Sequence, residues 1–197
     1  MTRPSRFVLF ASSLLLAGWA VTPAATAAAA APAAADRAQA ESQKLNAIFD
    51  EYFEEYLQQN PILATSIGDP RYNDRFVVGI SPAAIAADEK LQRDYLARLQ
   101  TVDRAVLPTA DQLSYDIFKT GREREIEGFK FPDELIPLNQ FYSTPNSFAQ
   151  LGSGNGMQPF KTVQDYDNFL KRLDGFAAWT DQAIVNMKQG VQRGYTL

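Results

Sequence analysis

The groups in this chain that could do chemistry are carboxylates. Its 197 residues include 23 Asp and Glu but no histidine and no cysteine. Nucleophilic catalysis by a Ser/His/Asp or Cys/His arrangement is therefore excluded, as is a standard zinc site built from His and Cys. Acidic pairs remain. Asp50 with Glu54, and Glu51 with Glu55, stand four apart, which puts each pair on one helical face. No histidine joins them and no glycine-turned loop of the calcium type is present, so they read as a solvated helix face. A glycosidase-type pair would need one carboxyl in apolar surroundings that raise its pKa. The nearest approach is Asp167, between Tyr166 and Phe169, and it falls off the apolar stripe toward solvent. The sequence names no catalytic residue and no metal ligand.

Two loops offer binding chemistry instead. Residues 151–157 (LGSGNGM) hold three glycines, but lack the Gly-Lys-Ser/Thr ending and preceding strand of a phosphate cradle. They read as a flexible connector. Residues 68–75 (GDPRYNDR) are polar and rich in turn formers. There Arg71, Tyr72 and Asp74 are the candidate substrate-binding residues, reaching into a cleft shared with a further part of the protein. The competing reading is a structural loop pinned by local Asp–Arg contacts.

Helices must position these loops. Over 36–59, Leu45, Ile48, Phe49, Tyr52, Phe53, Tyr56 and Leu57 make one stripe, which Asn60-Pro61 ends. Residues 61–66 make a short helical turn. Ser81-Pro82 opens a helix to about residue 102, with Ile85, Leu91, Tyr95, Leu96, Leu99 and Val102 inward. Residues 109–112 (TADQ) read as a capping box for a helix carrying Leu113, Ile117 and Phe118, stopped at Gly128. The run 76–80 alternates as a short strand would, and 130–138 is extended around Pro132 and Pro137. Thr162 caps the last helix, with Asp165 at its positive end. Val163, Tyr166, Phe169, Leu170, Leu173, Phe176, Ala177, Ile184, Met187 and Val191 are the stripe it must bury. Gly175 and Gly190 each cost that helix about 1 kcal/mol relative to alanine, which predicts a kink or an early end.

The expected fold class is therefore all-α: an irregular bundle of about four main helices with long Pro/Gly-rich loops, preceded by a signal peptide. Arg3 and Arg6 precede an apolar run over 7–21, and Ala25-Thr26-Ala27 suits cleavage. Residues 1–27 are the expected signal peptide, 28–40 an Ala-rich disordered tether, and 41–197 an incomplete folded domain. The destination is periplasm or medium, with no stable membrane anchor after cleavage. The net charge is −4 and no basic patch interleaves with aromatics, so nucleic acid is no partner. Stability must come from packing, for which 13 Phe, 8 Tyr and 2 Trp supply material.

The order Pro-Leu-Asn-Gln (137–140), Pro-Phe-Lys-Thr-Val-Gln-Asp-Tyr (159–166), Phe-Leu-Lys-Arg-Leu (169–173) and Gly-Val-Gln-Arg-Gly-Tyr-Thr-Leu (190–197) resembles the N-terminal part of bacterial DUF885 proteins. So does the glycine ahead of Tyr-Asn in 68–75. The resemblance implies a secreted zinc metallopeptidase of the gluzincin-like group, longer than this chain, whose metal-binding His/Glu helix lies beyond the position of Leu197. It implies that this chain is a helical scaffold and cleft wall, inactive alone, with no cofactor of its own. Its partners would be the rest of the same protein and peptides. The alternative, from another class, is a non-catalytic helical binding or interaction module of the cell envelope.

Overall fold

Prolines and polar caps set the helix boundaries. The computed structural model describes residues 24–141 and 143–196, with side chains from residue 33 onward. Among these residues lie six helices: α1 Ala24–Gln59, α2 Pro61–Ser66, α3 Pro82–Leu99, α4 Thr109–Gly128, α5 Thr144–Leu151 and α6 Val163–Gln192. Single 3-10 turns occupy Pro70–Tyr72, Arg104–Val106 and Asp133–Leu135. The fold is all-α; the described residues hold no strand, only an isolated antiparallel bridge between Leu138 and Ser143. The signal peptide expected over 1–27 lies, up to residue 23, outside the described residues.

Ser81 Oγ accepts the Ala84 N–H at 3.2 Å, with Pro82 at the first helical position. At α6 the capping box is complete. Thr162 Oγ1 accepts the Asp165 N–H (3.2 Å), and the Asp165 carboxylate accepts the N–H groups of Thr162 (2.8 Å) and Lys161 (2.9 Å). Those backbone hydrogen bonds, that from Thr162 foremost, hold the Asp165 carboxyl below its usual range. α4 departs from expectation: Pro108 is its cap, Thr109 is already helical, and the Gln112 amide donates to the Leu107 carbonyl at 2.8 Å instead of closing a box.

Two further expectations are corrected. The stretch 28–40, read as a tether, is part of α1. Alanine favours helix more than any other residue. Farther along, Arg37 pairs with Asp103 at 2.6 Å, and Glu41 accepts the Asp103 N–H at 2.8 Å, tying α1 to the turn after α3. The run 76–80 is irregular, because nearby carbonyls turn inward: Arg172 takes that of Arg75 and Asn186 that of Ile80. Of the apolar residues that α4 carries, Leu113 and Ile117 point outward, 61% and 65% exposed, because α4 turns Tyr115 and Phe118 to the core.

α1, α3 and α4 enclose the main core of Leu45, Ile48, Tyr52, Leu91, Tyr95 and Leu99, closed by Tyr115. Tyr52 meets Tyr95 and Phe118 edge-on, with centroids at 5.3 and 5.0 Å. The Arg122 guanidinium lies 4.2 Å from the Tyr52 ring centroid, and burial pushes its pKa down. The acidic face of α1 is exposed but engaged. Glu51 pairs with Arg98 at 2.5 Å, Glu54 pairs with Arg71 at 2.7 Å, and Glu55 accepts the Tyr95 hydroxyl at 2.9 Å.

The second packed group joins α2, residues 70–80, α5 and α6. Phe148 stacks on Phe176 (4.3 Å) and meets Phe76 edge-on (5.2 Å). α6 runs unbroken through both glycines to Gln192. Each glycine admits another part of the chain: a Cβ at Gly175 would lie 2.7 Å from the Phe76 carbonyl oxygen, and one at Gly190 2.8 Å from that of Leu135. The buried face of α6 also differs from expectation. Phe169, Arg172, Phe176, Trp179, Ala183, Asn186 and Gly190, at alternating steps of three and four, make it. Val163, Tyr166, Leu170, Leu173, Ile184 and Val191 remain exposed.

Two measurements check this packing. Gly175→Ala should cost about 1–3 kcal/mol in urea unfolding, despite the better helix former, through the clash with Phe76. Gly121→Ala, in open space within α4, should gain about 0.5–1 kcal/mol. Separately, burial and then the Glu55 contact push the Tyr95 pKa up to about 12 from an ordinary 10.0. The fold disfavours its phenolate, so this contribution to stability is complete below about pH 10 and is lost as pH rises through about 12. Phenolate absorbance should show Tyr56, which burial also raises, and Tyr95 titrating late, and Tyr95→Phe should remove the later of the two.

Candidate functional site

The polar loop predicted to bind substrate begins at Gly68, whose φ of +86° suits glycine. Asp69 then caps the Pro70–Tyr72 turn by accepting the Arg71 N–H at 3.0 Å. The Arg71 guanidinium reaches Asp69 at 2.6 Å and forks onto Glu54 of α1 at 2.7 and 3.1 Å. Its hydrogen bonds hold both carboxyls below their usual range. Tyr72 is buried with Leu57 and Ala64, its ring flanked by the Arg71 and Arg75 guanidinium carbons at 5.3 and 5.1 Å. Asp74 faces Lys171 of α6 at 3.4 Å. Arg71 thus ties the loop to α1, Tyr72 to α2 and Asp74 to α6.

The residue that sequence reading missed is Arg172. It is fully buried, yet among the described residues no carboxylate pairs with it. Its Nε donates to the Arg75 carbonyl (3.1 Å) and its Nη1 to Gln158 Oε1. Its Nη2 donates to Thr65 Oγ1 (2.6 Å), to the Tyr72 carbonyl (3.1 Å) and, more weakly, to the Pro61 carbonyl (3.3 Å). The Thr65 hydroxyl donates in turn to Asn73 Oδ1 at 2.7 Å. Burial pushes the Arg172 pKa down to about 10, with Asp74 opposing the shift. One signal could have found it: position 172 keeps the three-and-four step with Phe169, Phe176 and Trp179.

Two hollows open on the surface, one at the far end of α6 and one near this junction. A cleft of about 640 Å³ lies between the start of α3, the end of α4, the Asp133–Leu135 turn and the end of α6. Asp88, Glu125, Asp133, Glu134, Lys130 and Arg193 all line it, a mixed-charge lining suited to both ends of a zwitterion. A smaller hollow of about 440 Å³ is lined by Ile62, Phe76, Phe148, Leu151 and Met157, with hydroxyls from Thr144 and Ser147. It suits an apolar side chain. The residues present do not fit the zinc that the resemblance implies. The chain has no His or Cys, and among the described residues no three acidic groups converge to hold a metal ion.

A family model described as "Bacterial protein of unknown function (DUF885)" matches residues 61–197. The chain belongs to the DUF885 family. No curated protein and no solved structure matches it. The DUF885 match opens at Pro61, whose carbonyl Arg172 holds, so it takes in every partner of that guanidinium and leaves α1 outside.

The junction sets an order of mutational cost. Arg172→Met leaves buried carbonyls without donors and should lose about 3–5 kcal/mol in urea unfolding. Arg172→Lys, which keeps the charge but not the fork, should fall between it and wild type. Arg71→Ala breaks only half-exposed pairs and should cost about 1 kcal/mol or less.

Proposed function

We propose that this DUF885 chain is the N-terminal helical scaffold and cleft wall of an exported metallopeptidase-like enzyme, acting in the periplasm or outside the cell. The zinc ligands and the hydrolytic step would come from the remainder of that protein. The chain supplies shape, a peptide-sized cleft and a docking face. The observation that carries the reading is α6: thirty residues long, packed on one seam, and bearing a row of large apolar side chains on the face beside it. Single exposed apolar residues are ordinary, but a contiguous row marks a surface meant to be covered. In this reading Arg71, Tyr72 and Asp74 act mainly by fixing the loop, and the exposed edges of Arg71 and Asp74 are what a peptide could touch.

The apolar hollow beside α5 favours a second reading, a non-catalytic module of the cell envelope that binds a partner's apolar side chain. Thermal unfolding followed by circular dichroism and by dye binding separates the two. The scaffold reading expects helix retained through a broad transition, strong dye binding, and no peptide hydrolysis with zinc added. A sharp cooperative transition with little dye binding would sink it in favour of the module.

A further inference from the structure

α6 carries two seams, about 100° apart around its axis since 3.6 residues make a turn. The inner seam is covered. The outer one, Tyr166, Leu170, Leu173, Ala177, Ile184 and Val191, runs at steps of four, three and four and then at whole heptads, with the half-buried Thr180 and Met187 at the places between, and all six residues are exposed. α6 is 30 residues, about 45 Å long. A narrow stripe at this period is the geometry of a helix–helix seam.

One edge of that seam bears a charge pattern. Asp167, Asp174 and Asp181 stand seven apart, each directly beside the seam and each exposed. On α3 and α4, several surface acids are paired within their own helix, as in Lys90–Asp94, Arg93–Glu89 and Lys119–Glu123, and on α1 Glu51 and Glu54 pair with arginines of other elements. α6 has no such pair among the described residues. Lys171, four residues after Asp167, reaches across to Asp74 instead. The three aspartates form a row of uncompensated negative charge in the flanking heptad position that sets partner choice. A second copy does not satisfy it: antiparallel pairing through the same seam would set Asp174 of one copy beside Asp181 of the other.

We propose that the outer seam of α6 packs an amphipathic helix whose own edge carries Lys or Arg at heptad spacing. Resting on the scaffold reading, this assigns the covering helix to the remainder of the DUF885 protein and names its chemistry. The test uses three labelled 21-residue peptides: leucine-seamed with lysine flanks, the same with glutamate flanks, and a scrambled lysine version. Fluorescence anisotropy against the full chain should show the basic helix binding about tenfold or more tighter than the acidic one, from three charge pairs. The preference should vanish at 0.5 M salt, where the Debye length falls to about 4 Å, and in Asp167→Asn/Asp174→Asn/Asp181→Asn. Leu170→Glu/Ile184→Glu should abolish binding while circular dichroism shows the helices kept.

Equal binding of basic and acidic peptides would overturn the inference. So would binding of neither, or a dimer in sedimentation that Leu170→Glu dissolves. None of these results touches the dye-binding and unfolding behaviour on which the scaffold reading stands.

Discussion

A charged guanidinium sits at the centre of the second packed group with no carboxylate paired to it among the described residues. Removing such a group from water is costly, and the fold offsets that cost with hydrogen bonds. Arg172 meets carbonyls from Pro61, Tyr72 and Arg75, together with Thr65 and Gln158. A planar fork fixes where its acceptors must lie. The chain between α2 and α3 is therefore irregular for a reason: its carbonyls are turned inward to the guanidinium, and a sheet ladder would turn them elsewhere. The loop 68–75, the start of α2 and the segment before α6 all take their positions from this one side chain.

The α1/α3/α4 group rests on different physics. Its core is aromatic and aliphatic, and polar contacts work at its edges, where Glu51, Glu54 and Glu55 connect α1 to α3 and to the loop. These exposed pairs add little energy each. Their effect is orientation, since Glu51 and Glu55 fix the rotation of α1 against α3 and Glu54 fixes it against the loop. Glu54 matters most for architecture, because Arg71 joins the first group to the second through it.

Helix ends were the most legible part of the fold. Asn60-Pro61, Ser81-Pro82, Gly128 and the Thr162/Asp165 box act through local sterics and hydrogen bonds, and each lies at an observed boundary. The faces were less legible. α6 has two seams of comparable apolarity, and summed hydrophobicity favours the one that stays outside; the inner seam contains Arg172 and Asn186, which that criterion discards. The glycines of α6 read as weak points because propensity is local, whereas the approaching Phe76 and Leu135 carbonyls are not. In the loop, the Asp69–Arg71 contact was visible as near neighbours, but the reach of Arg71 to Glu54 depends on how two helices meet.

The guanidinium's partners also impose a sequence in time. Arg172 lies about a hundred residues beyond the carbonyls it holds, from Pro61 at a separation of 111 to Arg75 at 97. Contacts inside the α1/α3/α4 core span much shorter loops, such as 40 residues between Tyr95 and Glu55. Closing long loops is entropically slow, and nearer contacts form first. As the chain is synthesised, the first group can assemble while α2 and the polar loop still lack the side chain that orders them. α6 is then the closing element, completing both its own helix and the backbone conformation of residues made long before it.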